Sequence, residues 1–511
     1  MCSEPSNQNS QTDSRTDPSR TPPYWIWAVG LACITALAFG VLINLRKGES
    51  RAGGASRAVT SNWQAVPELL RTGRIEQAKV IVNQDTSTDR PPDELILFGL
   101  LCGYLNDSEH CARLLNRAAA ELPSPATDVT YNLLQEKLDL FGFSREDLYR
   151  VDFDLEDAQY VYRSFLYRCI AEGVLAGVPE GLPQANALVG WTRRMIAPSH
   201  PDTTVVLPIT ILARGFGTAD QMCWTLLTIA RQKGIFGFMV YLWNPERNES
   251  VHTICQIYPG GKPMLCDPYY GIVLSRPTGE PQNLFWVNKE LSPLQHYPPY
   301  RDGLARCFEQ ARVAWWPLEA QSVLSRMKFL QQYAGELPLT PVFFQNADEE
   351  MDVIRKYFWS LPGGKTLYEK HRPDIALYPF SVRSAMHDPE RVKAMNETMK
   401  RYRPLSQFRL LHLQSQFQQA ERGYTEILEN SDSLETREIA AIFKAECLLE
   451  MGKLEEGRQL LTGFIAANPN SSWLSQARYY LVMAERALET AAGHSEDVSG
   501  STDQSPILSG N

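Results

Sequence analysis

One stretch of the chain carries a thiol, an imidazole and a carboxylate in an order that suits covalent catalysis. Cys223 comes first, His252 follows 29 residues later, and Asp267 follows a further 15 residues on. Brought together, the imidazole takes the proton of the thiol and the carboxylate fixes the tautomer of the imidazole. The thiolate then accepts an acyl group as a thioester, which water or an amine resolves. The chain has 10 cysteines in all. None stand as Cys-x-x-Cys, and no acidic loop has calcium-ligand spacing, so no metal site and no cofactor is expected.

The elements that must position these residues can be read from residue 180 to 275. Gln184 to Ile196 reads as a helix, and residues 211–217 (ILARGFG) as a loop entry with two glycines. Thr218 to Gln221 has the form of a capping box, in which hydroxyl and amide side chains satisfy each other's backbone N–H groups. A helix follows through about Lys233, with Gly234 ending it. Cys223 falls in its first two turns, where the partial positive charge of a helix N-terminus stabilises a thiolate. Asp220 works against that by raising the thiol pKa. Residues 236–243, 251–258 and 264–266 read as strands, with Pro259-Gly-Gly-Lys262 turning the chain. A four-residue loop from Tyr258 to Gly261 would pair Ile257 with Lys262 and set His252 directly opposite Asp267. A five-residue loop would break that register. By strand alternation Cys255 points away from His252 into the core, and Cys266 also reads as core.

These residues resemble the transglutaminase-like superfamily. The match runs through Gly217, Cys223-Trp224, Leu227, Ala230, Arg231, Gly234-Ile235, His252 and Asp267-Pro268, and covers about 95 residues. The resemblance implies an α+β fold: a papain-like core with a helix packed on an antiparallel sheet. It implies Cys223 as nucleophile, His252 as general base and acid, and Asp267 as the orienting carboxylate. There are departures. The family has a glycine shortly before its cysteine, where Asp220-Gln221-Met222 stands here, and often an aromatic soon after its histidine, where Thr253-Ile254 stands. The backbone N–H of Cys223 is the expected oxyanion donor, with Gln221 or Trp224 as the second. Members of this superfamily that scaffold rather than catalyse keep the fold, so activity stays open.

Composition sets the wider frame. The chain has 511 residues, 44% hydrophobic and 21% charged, with a formal charge of −9. That length exceeds one compact core, and that charge argues against a nucleic-acid partner. Residues 1–23 read as a disordered tail. Residues 24–45 hold no charge, are flanked by Arg46-Lys47 and carry Tyr24, Trp25 and Trp27 at one end. They read as a single transmembrane helix, with a cleaved signal peptide as the alternative. The side of the membrane stays open. Residues 46–60 read as a linker, 61–180 as a partly repeat-like helical region, 181–300 as the transglutaminase-like domain, and 301–403 as a mixed connecting region without assigned chemistry.

Residues 404–490 resemble tetratricopeptide repeats. Leu69 and Leu448 each open a segment of two leucines, two further residues, Gly, a base, an aliphatic and Glu, which sets Gly73 and Gly452 in turns between antiparallel helices. Ala420, Tyr424 and Ile427 mark a preceding copy. A third pair starts near Trp473 and is incomplete, its helix running through Leu488. Residues 491–511 read as a disordered tail.

Two functions are expected from these features. The first is a membrane-anchored cysteine hydrolase or acyl transferase acting on amide bonds of a protein or peptide substrate. The second is a catalytically inactive, membrane-anchored scaffold that binds a protein partner through residues 404–490.

Overall fold

The computed structural model describes residues 65–66, 69, 74–84, 90–121, 152–199, 207–244, 246–301, 303–314, 330 and 389–499. Helices α1 (Ile75–Gln84), α2 (Pro92–Tyr104), α3 (Ser108–Glu121) and α4 (Leu155–Leu175) come first. α2 and α3 pack so closely that a Cβ on Gly99 would stand 2.9 Å from Leu115. α4 opens on a capping box between Asp154 and Asp157. Then follow α5 (Leu182–Met195), the short strand β1 (Ala197–Pro198), α6 (Pro208–Arg214), the short strand β2 (Phe216–Gly217) and α7 (Ala219–Arg231). β1 and β2 pair in parallel. Residues 211–214, expected in a loop, are the end of α6. Pro208 starts that helix at a position where its missing N–H costs nothing. Gly215 ends it in the left-handed conformation, at φ +76°.

The sheet is five-stranded and antiparallel. Its strands are β3 (Gly237–Asn244), β4 (Glu249–Ile257), β5 (Met264–Asp267), β6 (Ile272–Val273) and β7 (Arg312–Ala314), in the order β6-β5-β4-β3-β7. A mixed helix-and-sheet architecture is thus present. Two cores flank the sheet. One joins Cys255, Ile257, Met264 and Cys266 to Met222, Cys223 and Leu226 of α7. The other joins Phe238, Val240, Ile254 and Leu265 to Tyr300 and Phe308. This division is the period-2 alternation of strands made concrete. Two short helices, α8 (Leu284–Val287) and α9 (Pro298–Arg301), belong to the second side.

The expected register is corrected. Ile257 pairs with Met264 and Cys255 with Cys266, so the connecting loop holds six residues, 258–263. A 3₁₀ turn at Pro259–Gly261 and the extended Lys262 take up the added length. His252 is therefore not directly opposite Asp267. The offset is two residues, an even number, so both keep the same face.

The C-terminal helices are α10 (Pro389–Leu413), α11 (Phe417–Asn430), α12 (Leu434–Glu450), α13 (Leu454–Ala467) and α14 (Leu474–Ser499). Gly452 takes a left-handed turn at φ +75°, and a Cβ on Gly457 would stand 2.6 Å from Leu449, which is why a small residue is needed there. Ala420, Tyr424 and Ile427 are buried as read. The first helix begins at Pro389 rather than at 404, and α14 runs to Ser499, into the expected tail.

This array does not stand apart. Its buried Arg409 donates to the carbonyl of Met195 at 2.7 Å and pairs with Glu446 at 3.2 Å. Tyr480 and Gln476 bond the carbonyl of Arg194, whose own side chain reaches Glu450 at 3.1 Å. Phe216 packs edge-on against Tyr402 and Trp473. Beside this contact, burial first and the charges of Arg409 and Arg194 second hold the His412 imidazole well below its usual pKa.

The expected membrane placement is corrected as well. No helix among the described residues is long and apolar enough to cross a membrane. The run 24–45, the tail 1–23, the linker 46–60, Gly73, most of 301–403 and residues 500–511 lie outside the described residues.

Two outcomes follow. Gly215→Ala puts a methyl 1.8 Å from Phe443 at a positive φ, so urea denaturation should show a loss of several kcal/mol. An unchanged midpoint would contradict the contact. Because His412 is neutral when folded and takes up a proton when unfolded, stability should be full above about pH 6.5 and fall as pH drops below it. His412→Gln should flatten that fall in pH-dependent thermal melts.

Candidate functional site

His252 lies on β4 and Asp267 ends β5, and the structure brings them together. The Nε2 of His252 stands 2.8 Å from Oδ2 of Asp267, with the carboxylate fully buried and the imidazole 8% exposed. Asp267 Oδ1 accepts from the backbone N–H groups of Tyr269 and Tyr270 at 3.1 and 3.2 Å. This is the local turn that an Asp before Pro makes readily. Oδ2 also accepts from the hydroxyl of Tyr300 at 2.6 Å. A carboxylate holding two N–H groups and a hydroxyl is an acceptor, so Nε2 of His252 carries the proton. Nδ1 is then the nitrogen with a lone pair, and it makes no hydrogen bond among the described residues.

Tyr300 was missed in the sequence. It follows Asp267 by 33 residues, in a Pro-Pro-Tyr-Arg segment that carries no motif. Its fully buried hydroxyl is pushed well above the usual tyrosine range, first by burial and then by the Asp267 charge beside it. The imidazole ring meets Tyr269 edge-on at 5.6 Å and Tyr270 at 5.2 Å between centroids. Leu242, opposite His252, and Ile254, two residues on, both belong to the Tyr300 core, so alternation places the imidazole on that face of the sheet, while Tyr269 packs against the α7 side.

Cys223 is placed differently from the expectation. Its helix starts as read: Gln221 Oε1 accepts from the N–H of Thr218 at 3.2 Å and from Arg214 at 2.5 Å, and the Thr218 hydroxyl donates to Asp220. Ala219 is the first helical residue, so Cys223 is the fifth, within the first two turns as read but past the first. The N–H groups that lack an acceptor within their own helix belong to the first turn. The N–H of Cys223 lies past that turn and is committed to the helix, not offered to an oxyanion. The side chain is fully buried, and Sγ donates to the carbonyl of Thr253 at 3.5 Å. No hydrogen bond joins it to the imidazole among the described residues. Burial pushes the thiol well up, and neighbouring Cys255 and the charges of Asp267 and Asp220 push the same way. The thiolate stabilisation expected from the helix terminus is overridden.

Cys255 and Cys266 are fully buried opposite each other, as core residues. A pocket of about 300 Å³ lies among the N-terminal helices, lined by Lys79, Val82, Leu105, Asn106 and Asp107, away from these groups in the chain. Among the described residues no cluster of three or more His, Cys, Asp or Glu could hold a metal ion. No family model matches the chain, and neither a curated protein nor a solved structure is detectably similar to it.

Removing the Tyr300 hydroxyl leaves a buried carboxylate one donor short. Tyr300→Phe should lower stability by about 1–3 kcal/mol in urea denaturation. No change would mean that the 2.6 Å contact is not made in solution.

Proposed function

We propose that the described part of the chain is a protein-interaction scaffold on a transglutaminase-like fold, with no catalysis at Cys223. One observation carries this reading: the Cys223 sulfur is sealed in a core and bonded to a backbone carbonyl, and its burial pushes the thiol pKa well up. A nucleophilic thiol needs the opposite surroundings, partly exposed and electropositive. The helical array supports the interaction role, because stacked helix pairs offer extended surfaces more suited to a protein partner than to chemistry. Part of that array is already spent on its own chain, through Arg409, Tyr480 and Phe216. A partner would use what this contact leaves exposed.

The runner-up is a cysteine hydrolase or acyl transferase working on amide bonds through a thioester. The His252–Asp267 pair favours it, because the tautomer is fixed and Nδ1 is left to take a proton. Under that reading the Cys223 sulfur must first leave the Thr253 carbonyl and emerge from the core.

Site-resolved alkylation of the native protein with iodoacetamide near neutral pH separates the two. The scaffold reading expects half-exposed Cys307 to react while Cys223 stays unmodified until urea unfolds the chain. Fast native labelling of Cys223, lost in His252→Asn, would overturn it in favour of the enzyme.

A further inference from the structure

We propose that the contact between the helical array and the α5–α6 region is an acid-released latch, in which protonation of His412 frees Arg409 from the carbonyls it holds and separates the two parts. Arg409 on α10 is fully buried. It donates to the carbonyl of Met195 at 2.7 Å and to that of Leu212 at 3.4 Å, and it pairs with Glu446 on α12 at 3.2 Å. Its guanidinium also lies 3.8 Å from the centre of the Phe443 ring, the ring packed on Gly215. One side chain therefore fastens two helices of the array to both α5 and α6.

Arg409 Nη1 stands 3.1 Å from Nδ1 of His412, which is buried as well. A guanidinium only donates, so Nδ1 accepts and the proton of the neutral ring is on Nε2. Nε2 is buried and has no hydrogen-bond partner. An imidazolium carries N–H groups at both nitrogens. It would turn a donor and a positive charge toward Arg409 and leave Nε2 without an acceptor. The groups around the ring offer little relief. α11 contributes the Tyr424 hydroxyl, 3.2 Å from Nδ1, and the edge of Phe417. α12 contributes Glu446 and Glu450, already paired with Arg409 and with Arg194 of α5. On α14 the Tyr480 hydroxyl is bonded to the carbonyl of Arg194. Among the described residues the two carboxylates balance the two guanidinium groups only while His412 is neutral. Burial also pushes the Glu446 carboxyl up, so acid removes the counter-charge of Arg409 as it adds charge beside it.

Freed from the contact, an imidazole titrates near pH 6.5. The open form therefore gains about tenfold in population for each pH unit below that value, until the closed ring titrates too. The sheet does not depend on this contact, because β3, β4 and β5 are joined by their own ladder. The release is thus local, a step short of the general loss of stability in acid.

Amide hydrogen exchange of the full chain at pH 7.0 and pH 5.0, corrected for the intrinsic rate at each pH, tests this. The expected result is a tenfold or greater rise in opening at residues 195–217 and 405–413, with residues 237–257 still protected. In His412→Gln, whose amide oxygen can accept from Arg409 but takes up no proton, that rise should fall to threefold or less. No rise, an equal rise in the sheet, or the same rise in His412→Gln would overturn the latch. Because the variant could be misfolded, the His412 ring is also titrated by nuclear magnetic resonance in the natural sequence. Its protonation should coincide with the opening, and protonation with residues 405–413 still protected would overturn the proposal. Native labelling of Cys223 would sink the scaffold reading, which gives the released face its use, and leave this comparison intact.

Discussion

Asp267 is the point on which this part of the molecule turns. A buried carboxylate is costly unless its lone pairs are filled. Here they are filled from three directions: the backbone of Tyr269 and Tyr270, the imidazole of His252 and the hydroxyl of Tyr300. That single group therefore ties the end of β5 to β4, to its own following turn and to α9. It also sets the tautomer of His252. The alternation of the strands then decides what else each side chain meets, with α7 on one side and the Tyr300 core on the other.

Against that network, Cys223 reads as a packing residue. It shares a core with Met222, Leu226, Cys255 and Cys266, and its sulfur donates to the main-chain oxygen of Thr253. Burial of the thiol outweighs any help from the helix terminus, because the partial charge there falls off within the first turn and Cys223 lies beyond it. Among the described residues, no hydrogen bond joins Cys223 to the His252–Asp267 pair. The helical array closes over the α5–α6 region and the Gly215 turn beside the start of α7, so the two parts share one buried interface.

Much of this was legible where the signal is local. The capping residues Thr218 and Gln221, the stop at Gly234, the three long strand segments and the small residues of the helix pairs all act over a few positions. The loop between β4 and β5 was misjudged by two residues because Pro259, two glycines and Pro263 allow several turn lengths. The face survived the error because the offset is even. Tyr300 was not legible, since nothing in its own segment refers to Asp267. The docking of Arg409 and Phe216 was hidden for the same reason: it joins residues about 200 positions apart, and only the folded chain brings them together.

The claim that Cys223 is a protonated core thiol can be measured directly by infrared spectroscopy of its S–H stretch, isolated as the difference between the native chain and Cys223→Ser. The account predicts an S–H band that is present at neutral pH and unchanged on mild acidification. A band that is absent at neutral pH and grows in only on acidification would reveal a thiolate paired with an imidazolium, and would contradict it.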